Sequence, residues 1–182
     1  MQTIVRKAFW DHEKEEKWLN EMSAKGFALI GYSWCKYIFT ASHPSEYIYR
    51  IELLEQFPIH SESQHYLQFM AENGVEHIAS YMRWVYFRKP AADGAFDIYS
   101  DTDSKIKHYQ RIRRFWLILG CSQFLAAIPN IGIGLGGSTG FVLPANLILG
   151  GISTCLGLGL LLRGFRLQKR INRLQEERSI ME

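Results

Sequence analysis

The sequence predicts an α+β fold: tandem βαββ units forming a mainly antiparallel sheet with two helices on one face, followed by a two-helix transmembrane hairpin. Three observations predict it. Phe115 to Leu162 is an unbroken run of 48 residues without Asp, Glu, Lys, Arg or His, in a chain where 21% of residues are charged. Strand-like and helix-like patterns alternate through the first hundred residues. The same pattern then returns at a shift of 48 residues.

In chain order, TIVRKAF reads as a strand and DHEKEEKWLNEMSAKG as a helix, with Trp18, Leu19 and Met22 on one face and Gly26 as its stop. FALIGYSW and KYIFT follow as a strand pair. EYIYRIELL is a further strand, SESQHYLQFMAENG a helix ending at Gly74, and VEHIASY with MRWVYFR a second strand pair; GAFDIYS adds a short last strand. In the repeat, Phe9 maps to Phe57, Trp18 to Tyr66, Leu19 to Leu67, Met22 to Met70, Gly26 to Gly74, Ile30 to Ile78 and Phe39 to Phe87. The units span about 1–45 and 46–100.

The apolar run holds two segments of about 20 residues, the length a bilayer requires. Residues 115–134 and 141–162 are the expected spans, and Leu135–Thr139 is the turn between them. Pro144 suits the first turn of the second helix, and Pro129 kinks or finishes the first. Residues 101–114 form a basic juxtamembrane helix, with Asp101 as N-cap and Asp103 in its first turn. Residues 163–182 form a basic amphipathic tail with Leu167, Ile171 and Leu174 on one face, which suits anionic lipid or, less economically, a partner helix. Small residues recur every fourth position, as Gly151, Cys155 and Gly159 on one face of the second span, Ser153 and Gly157 on a neighbouring face, and Ser122, Ala126 and Asn130 on the first span, which suits close packing within the hairpin or between two copies of the chain.

Charge divides the same way. Residues 1–100 carry 10 Lys+Arg and 13 Asp+Glu, and residues 101–182 carry 11 and 5. The basicity belongs to the flanks of the apolar run, so direct nucleic-acid binding is not expected. Basic residues on both flanks and none in the connection place both termini in the cytoplasm by the positive-inside rule. The N-terminus lacks the apolar core of a signal peptide, and Cys35, Cys121 and Cys155 are expected as reduced thiols.

Chemistry-bearing motifs are sparse. There is no P-loop, nucleophile elbow, HExxH, dinucleotide fingerprint or CxxC. GIGLGG falls in the apolar hairpin, without a preceding strand or a following Lys. His60 and His65 do not suit a metal, and Asp101–Asp103 lack the ligand set of a calcium loop. Neither enzyme activity, metal nor cofactor is expected. The soluble half is rich in aromatics on both faces of its strands, which suits either an ordinary sheet core or an aromatic groove. In the second case Trp34, Tyr37, Trp84 and Tyr86 line the groove, with Glu52 as counter-charge and Arg50 beside it, and the ligand is an apolar or cationic small molecule.

EKEEKWLNEMSAKGFAL, EYIYRIELLE, YMRWVYFRKPAADGAFDIYSD and DSKIKHYQRI resemble the bacterial membrane family of domain of unknown function 2812, over about residues 3–112. The resemblance implies no activity; it implies a regulatory setting, because genes of that family neighbour transcription regulators of the PadR type. The doubled layout is also similar in topology to gyrase-inhibitor-like ligand-binding domains, from which no residue role transfers. The expected function is a membrane-anchored cytoplasmic sensor or regulatory domain. The alternative is an adaptor or accessory subunit of a larger membrane protein complex, partnered by the bilayer and by a second copy or another membrane protein.

The topology is directly testable. A reporter active only outside the cytoplasm should be silent when fused after Glu182 and active when inserted at Gly137; an active C-terminal fusion would contradict two crossings.

Overall fold

The computed structural model describes residues 2–99, 101–136 and 142–181, which form two compact units, Met1–Ser100 and Asp101–Glu182. In the first unit the order strand–helix–strand–strand occurs twice. β1 (Gln2–Arg6), α1 (His12–Ala24), β2 (Phe27–Ser33) and β3 (Lys36–Ala41) are followed by β4 (Tyr47–Leu53), α2 (Ser61–Glu72), β5 (Glu76–Tyr81) and β6 (Trp84–Pro90). Asp11 caps α1, its carboxylate accepting from the Glu13 N–H at 3.1 Å. Gly26 and Gly74 stand at φ 81° and 76° just past the two helices, the left-handed geometry that lets the chain leave a helix at little cost.

The correspondence between the halves reaches irregular details. Each sheet places its third strand centrally, in the orders β1-β3-β2 and β4-β6-β5, and every pairing is antiparallel. The β2–β3 ladder is broken at Ile30 and the β5–β6 ladder at Ile78, the residues that the repeat matches. The first strand is the exception. Thr3 faces Phe39 in one sheet, whereas Arg50, not Ile51, faces Phe87 in the other. A one-residue slip turns a strand over, and it brings Tyr49 and Ile51 into the same core as Tyr86.

The α+β class and the doubled unit stand, but the strands form two three-stranded sheets rather than one continuous sheet. The sheet edges find their partners elsewhere. Glu16, Asn20 and Ser23 of α1 reach along the outer edge of β4. Asn20 donates to the Tyr49 carbonyl at 3.1 Å and accepts from its N–H at 2.9 Å. The Ser23 hydroxyl donates to the Tyr47 carbonyl at 2.7 Å and accepts from its N–H at 3.2 Å, and Glu16 accepts from the Ile51 N–H at 3.1 Å. A helix thus occupies the place of a neighbouring strand. At the outer edge of β2, the Leu29 N–H donates to the Tyr49 hydroxyl at 2.9 Å and Arg88 donates to the Leu29 carbonyl at 3.0 Å.

Two cores result. Leu19 of α1 packs with Leu29, Tyr37 and Phe39 of the first sheet and with Tyr49, Ile51 and Tyr86 of the second, so α1 packs against both sheets. On the far face of the second sheet, Met70, Tyr66 and Leu67 of α2 pack with Val85 and Phe87. The expectation of both helices on one face of a sheet therefore gives way to a layered order. The expected strand at GAFDIYS does not form either. Residues 94–99 are irregular, and they contribute Phe96 and Ile98 to the second core.

The second unit is a pair of long helices, α3 (Thr102–Leu135) and α4 (Val142–Met181). Each is long and apolar enough to cross a membrane. Asp101 caps α3 as expected, accepting from the Ser104 N–H at 2.6 Å. The separate helices expected at 101–114 and 115–134 are one, continuing past Pro129, and α4 likewise absorbs the tail. Most of the turn expected at Leu135–Thr139 lies outside the described residues.

The packing period differs from expectation. Gly120, Ala127 and Gly134 on α3 and Gly150, Gly157 and Gly164 on α4 are buried at intervals of seven residues. A Cβ added at Gly157 would lie 2.9 Å from the Phe124 ring and 3.2 Å from the Gly120 carbonyl, and one at Gly150 would lie 2.6 Å from Ile131. A seven-residue repeat keeps one seam facing a partner helix along its whole length. Gly151 and Gly159, by contrast, face open space, and Cys155 is exposed. The tail is covered as well: Ile171, with Leu167 and Leu174, packs against Ile106 and Tyr109 of α3. The partner of that apolar stripe is therefore α3 rather than lipid. Arg170 stands over the Tyr109 ring at 4.8 Å, and Arg178 pairs with Asp103 at 2.9 Å.

Two substitutions separate the seam from the outside. Gly157→Ile should lower the thermal stability of the full chain in detergent, because the added side chain meets the Gly120 backbone and the Gln123 Cβ at 3.2 Å. Gly151→Ile should leave the melting temperature nearly unchanged.

Candidate functional site

The aromatic residues singled out in the sequence converge around a carboxylate that the sequence reading passed over. Glu15, on α1, is 8% exposed. Its Oε1 accepts hydrogen bonds from the Tyr37 hydroxyl of the first sheet and the Tyr86 hydroxyl of the second, both at 2.7 Å. Among the described residues no cation pairs with it. Burial raises its pKa above the ordinary carboxylate value, against the lowering effect of the two hydroxyls. Burial, together with the Glu15 carboxylate, pushes both phenols far above their ordinary values.

Tyr32 covers this pair. Its ring centroid lies 4.4 Å from that of Tyr86 and 4.8 Å from that of Tyr37, and it is half-buried on the edge strand β2. A rim surrounds it: Tyr81 at 6.1 Å from Tyr32, Trp34 at 6.2 Å from Tyr81, and Trp84 with His12 at 5.6 Å. The arrangement places one acid behind an aromatic wall, with the Tyr32 ring packed over the two tyrosines that hold it. Electron-rich ring faces and an acid together attract cations.

The six residues singled out in the sequence are thus divided. Tyr37, Tyr86, Trp84 and Trp34 belong to this cluster, Trp34 as its most exposed member at 74%. Glu52 does not. It lies on the opposite face of β4, buried with α2, where its Oε2 accepts from the Tyr66 hydroxyl at 2.6 Å. Arg50 shares that alternation and reaches Glu16 at 3.3 Å. Period-two alternation already places Glu52 and Arg50 with Val85 and Phe87, opposite Trp84 and Tyr86, once β4 is paired with β6. Glu15 is harder to find, because EKEEK reads as a solvated helix face. Its signal is spacing: it stands four residues before Leu19 and seven before Met22, on the apolar stripe of α1.

Away from this cluster, an open groove of about 510 Å³ lies beside Thr40, Ser42, His43, Tyr47 and Arg88. The Arg88 guanidinium there is already engaged, by Glu76 at 2.7 and 2.9 Å, by the Leu29 carbonyl and by the Tyr47 ring at 4.3 Å. With its cation so fully committed, the groove is chemically the poorer site.

Next to the cluster, Glu16 has its pKa raised from 4.5 to about 7, by burial more than Arg50 lowers it. A raised folded-state pKa means that the fold binds this proton more tightly than the unfolded chain does. Its stabilising contribution is full below pH 4.5 and is lost as pH rises through about 7. Glu16→Gln, which cannot titrate, should flatten the unfolding midpoint across that window; an unchanged slope would assign the dependence elsewhere.

The sequence model of the family described as "Protein of unknown function (DUF2812)" matches residues 11–121, which include the site, the first unit from Asp11 onward and the first part of α3, but not β1. No curated protein and no solved structure matches the chain.

Proposed function

The chain belongs to the family of unknown function DUF2812, and from that premise we propose that it is a membrane-anchored sensor whose first unit binds an amphipathic or cationic small molecule at Glu15. The observation that carries the reading is a buried carboxylate held by two tyrosine hydroxyls, without a cationic partner among the described residues, under an aromatic wall. A cation entering past Tyr32 would supply the missing charge and meet the faces of Tyr32, Tyr81 and Trp84. The α3–α4 hairpin serves as the anchor. Its support is the outward apolar surface, with Leu125 73%, Ile128 67% and Ile148 61% exposed to whatever surrounds the helices. Basic flanks support cytoplasmic termini, and a neighbouring PadR-type regulator would be the natural recipient of the signal. The reading assigns no reaction to the protein.

The adaptor reading draws on a different observation. Gly151, Cys155 and Gly159 form a row on α4 that leaves room for another helix to approach, from a second copy or from another membrane protein.

The test is thermal stabilisation of the full chain in mild detergent by a tetraalkylammonium series. We expect stabilisation of the natural protein, abolished by Glu15→Gln and retained by Glu52→Gln. Binding should tighten as pH rises through the raised pKa of Glu15, because the cation needs the ionised carboxylate. Equal stabilisation of the Glu15→Gln protein would overturn the assignment.

A further inference from the structure

The first unit has two unlike ends. At one end lie the β1–α1 connection, the β2–β3 turn, the β4–α2 connection and the β5–β6 turn. Contacts of Trp34 with Tyr81 and of His12 with Trp84 hold the two sheets' turns at the same end. These four connections carry Trp10 61%, Trp34 74%, Phe57 52%, Ile59 88% and Met82 55% exposed. The connections at the opposite end, around Gly26, Ser45, Gly74 and Asp93, carry no large exposed hydrophobic residue among those described.

The two hairpin turns are two-residue connections, Trp34–Cys35 and Met82–Arg83, between the pairs Ser33–Lys36 and Tyr81–Trp84. Cys35 and Met82 hold φ 55° and 56°, a region where glycine is the ordinary occupant. Strain of this kind persists where the surroundings enforce it, and here it is spent on presenting Trp34 and Met82 to the outside.

We propose that this end is a lipid-docking surface, inserting Trp34, Met82 and Trp10 into the headgroup region of a bilayer. Tryptophan and methionine beside cations are the side chains of a membrane interface: the rings accept a boundary that is apolar on one side and wet on the other. Arg6 and Lys36 pair across β1 and β3 at this end, and Lys7 joins Cys35 through its backbone N–H at 3.0 Å. The Lys7 ammonium stands over the Phe9 and Trp18 rings at 4.7 and 4.8 Å, which leaves Arg6 and Lys36 as the cations available to lipid phosphates. Asp11 is drawn inward as the α1 cap. Glu13, Glu55 and Glu62 keep the local charge mixed, so the apolar side chains carry the attachment and the cations orient it. Lipid rather than a protein is the occupant because α3 starts at Thr102, directly after this unit, and its exposed apolar surface requires the same solvent. Tethering raises the effective concentration of that surface at the first unit. The proposal rests on the bilayer reading of the hairpin.

The test uses the full chain with Cys35→Ser, Cys121→Ser and Cys155→Ser, carrying one polarity-sensitive fluorophore at Met82→Cys or at Ser45→Cys. Each protein is placed in phospholipid nanodiscs containing a headgroup-proximal spin quencher. We expect blue-shifted, strongly quenched emission for the label at position 82 and water-like, unquenched emission at position 45. Incorporated protein with both labels water-like, or with both quenched alike, overturns docking while leaving the hairpin in the bilayer. Failure of the chain to enter nanodiscs at all overturns the bilayer reading and this proposal with it.

Discussion

An edge strand exposes backbone N–H and C=O groups that must find partners, and β4 finds them in the side chains of a helix. Glu16, Asn20 and Ser23, spaced by four and three residues on α1, meet Ile51, Tyr49 and Tyr47, spaced by two on β4. Helix and strand run in opposite senses, and each step of the helix face matches one outward-facing residue of the strand. Five hydrogen bonds result. Each buried backbone group left without such a partner would cost about 1–3 kcal/mol. The arrangement also removes an edge that would otherwise recruit another strand.

The rest of the first unit follows from this contact. With α1 committed to β4, the second sheet turns its Tyr49, Ile51 and Tyr86 face toward Leu19 and the first sheet. The slip of β4 by one residue relative to β1 is what supplies that face. Glu15 is the neighbour of Glu16, so the same placement drives its carboxyl between Tyr37 and Tyr86, one tyrosine from each sheet. The candidate site is therefore a consequence of how the repeats dock, and neither repeat contains it alone.

Local patterns made much of this legible in the sequence. The helices announced themselves by periodicity and by Gly26 and Gly74, the hairpins by alternation, and the paired spans by 48 uncharged residues. The closing of the β4 edge could not be read, because it depends on three polar residues of α1 that look like ordinary solvent-facing positions. The seven-residue seam of the hairpin was obscured by a denser background of small residues: Gly151 and Gly159 mimic a close-packing face, yet meet nothing within 4 Å. Glu52 stands out in sequence by its place in an aromatic strand, whereas Glu15 is hidden within a charge run. Charge in the sequence does not reveal which carboxylate the partner repeat will cover.

Amide hydrogen exchange under native conditions reports whether α1 closes the edge of β4. The N–H groups of Tyr47, Tyr49 and Ile51 should exchange as slowly as those of the central strand β6, and Asn20→Ala should release Tyr49 first. Rapid exchange of all three in the natural protein, at the rate of an open edge strand, would contradict the account.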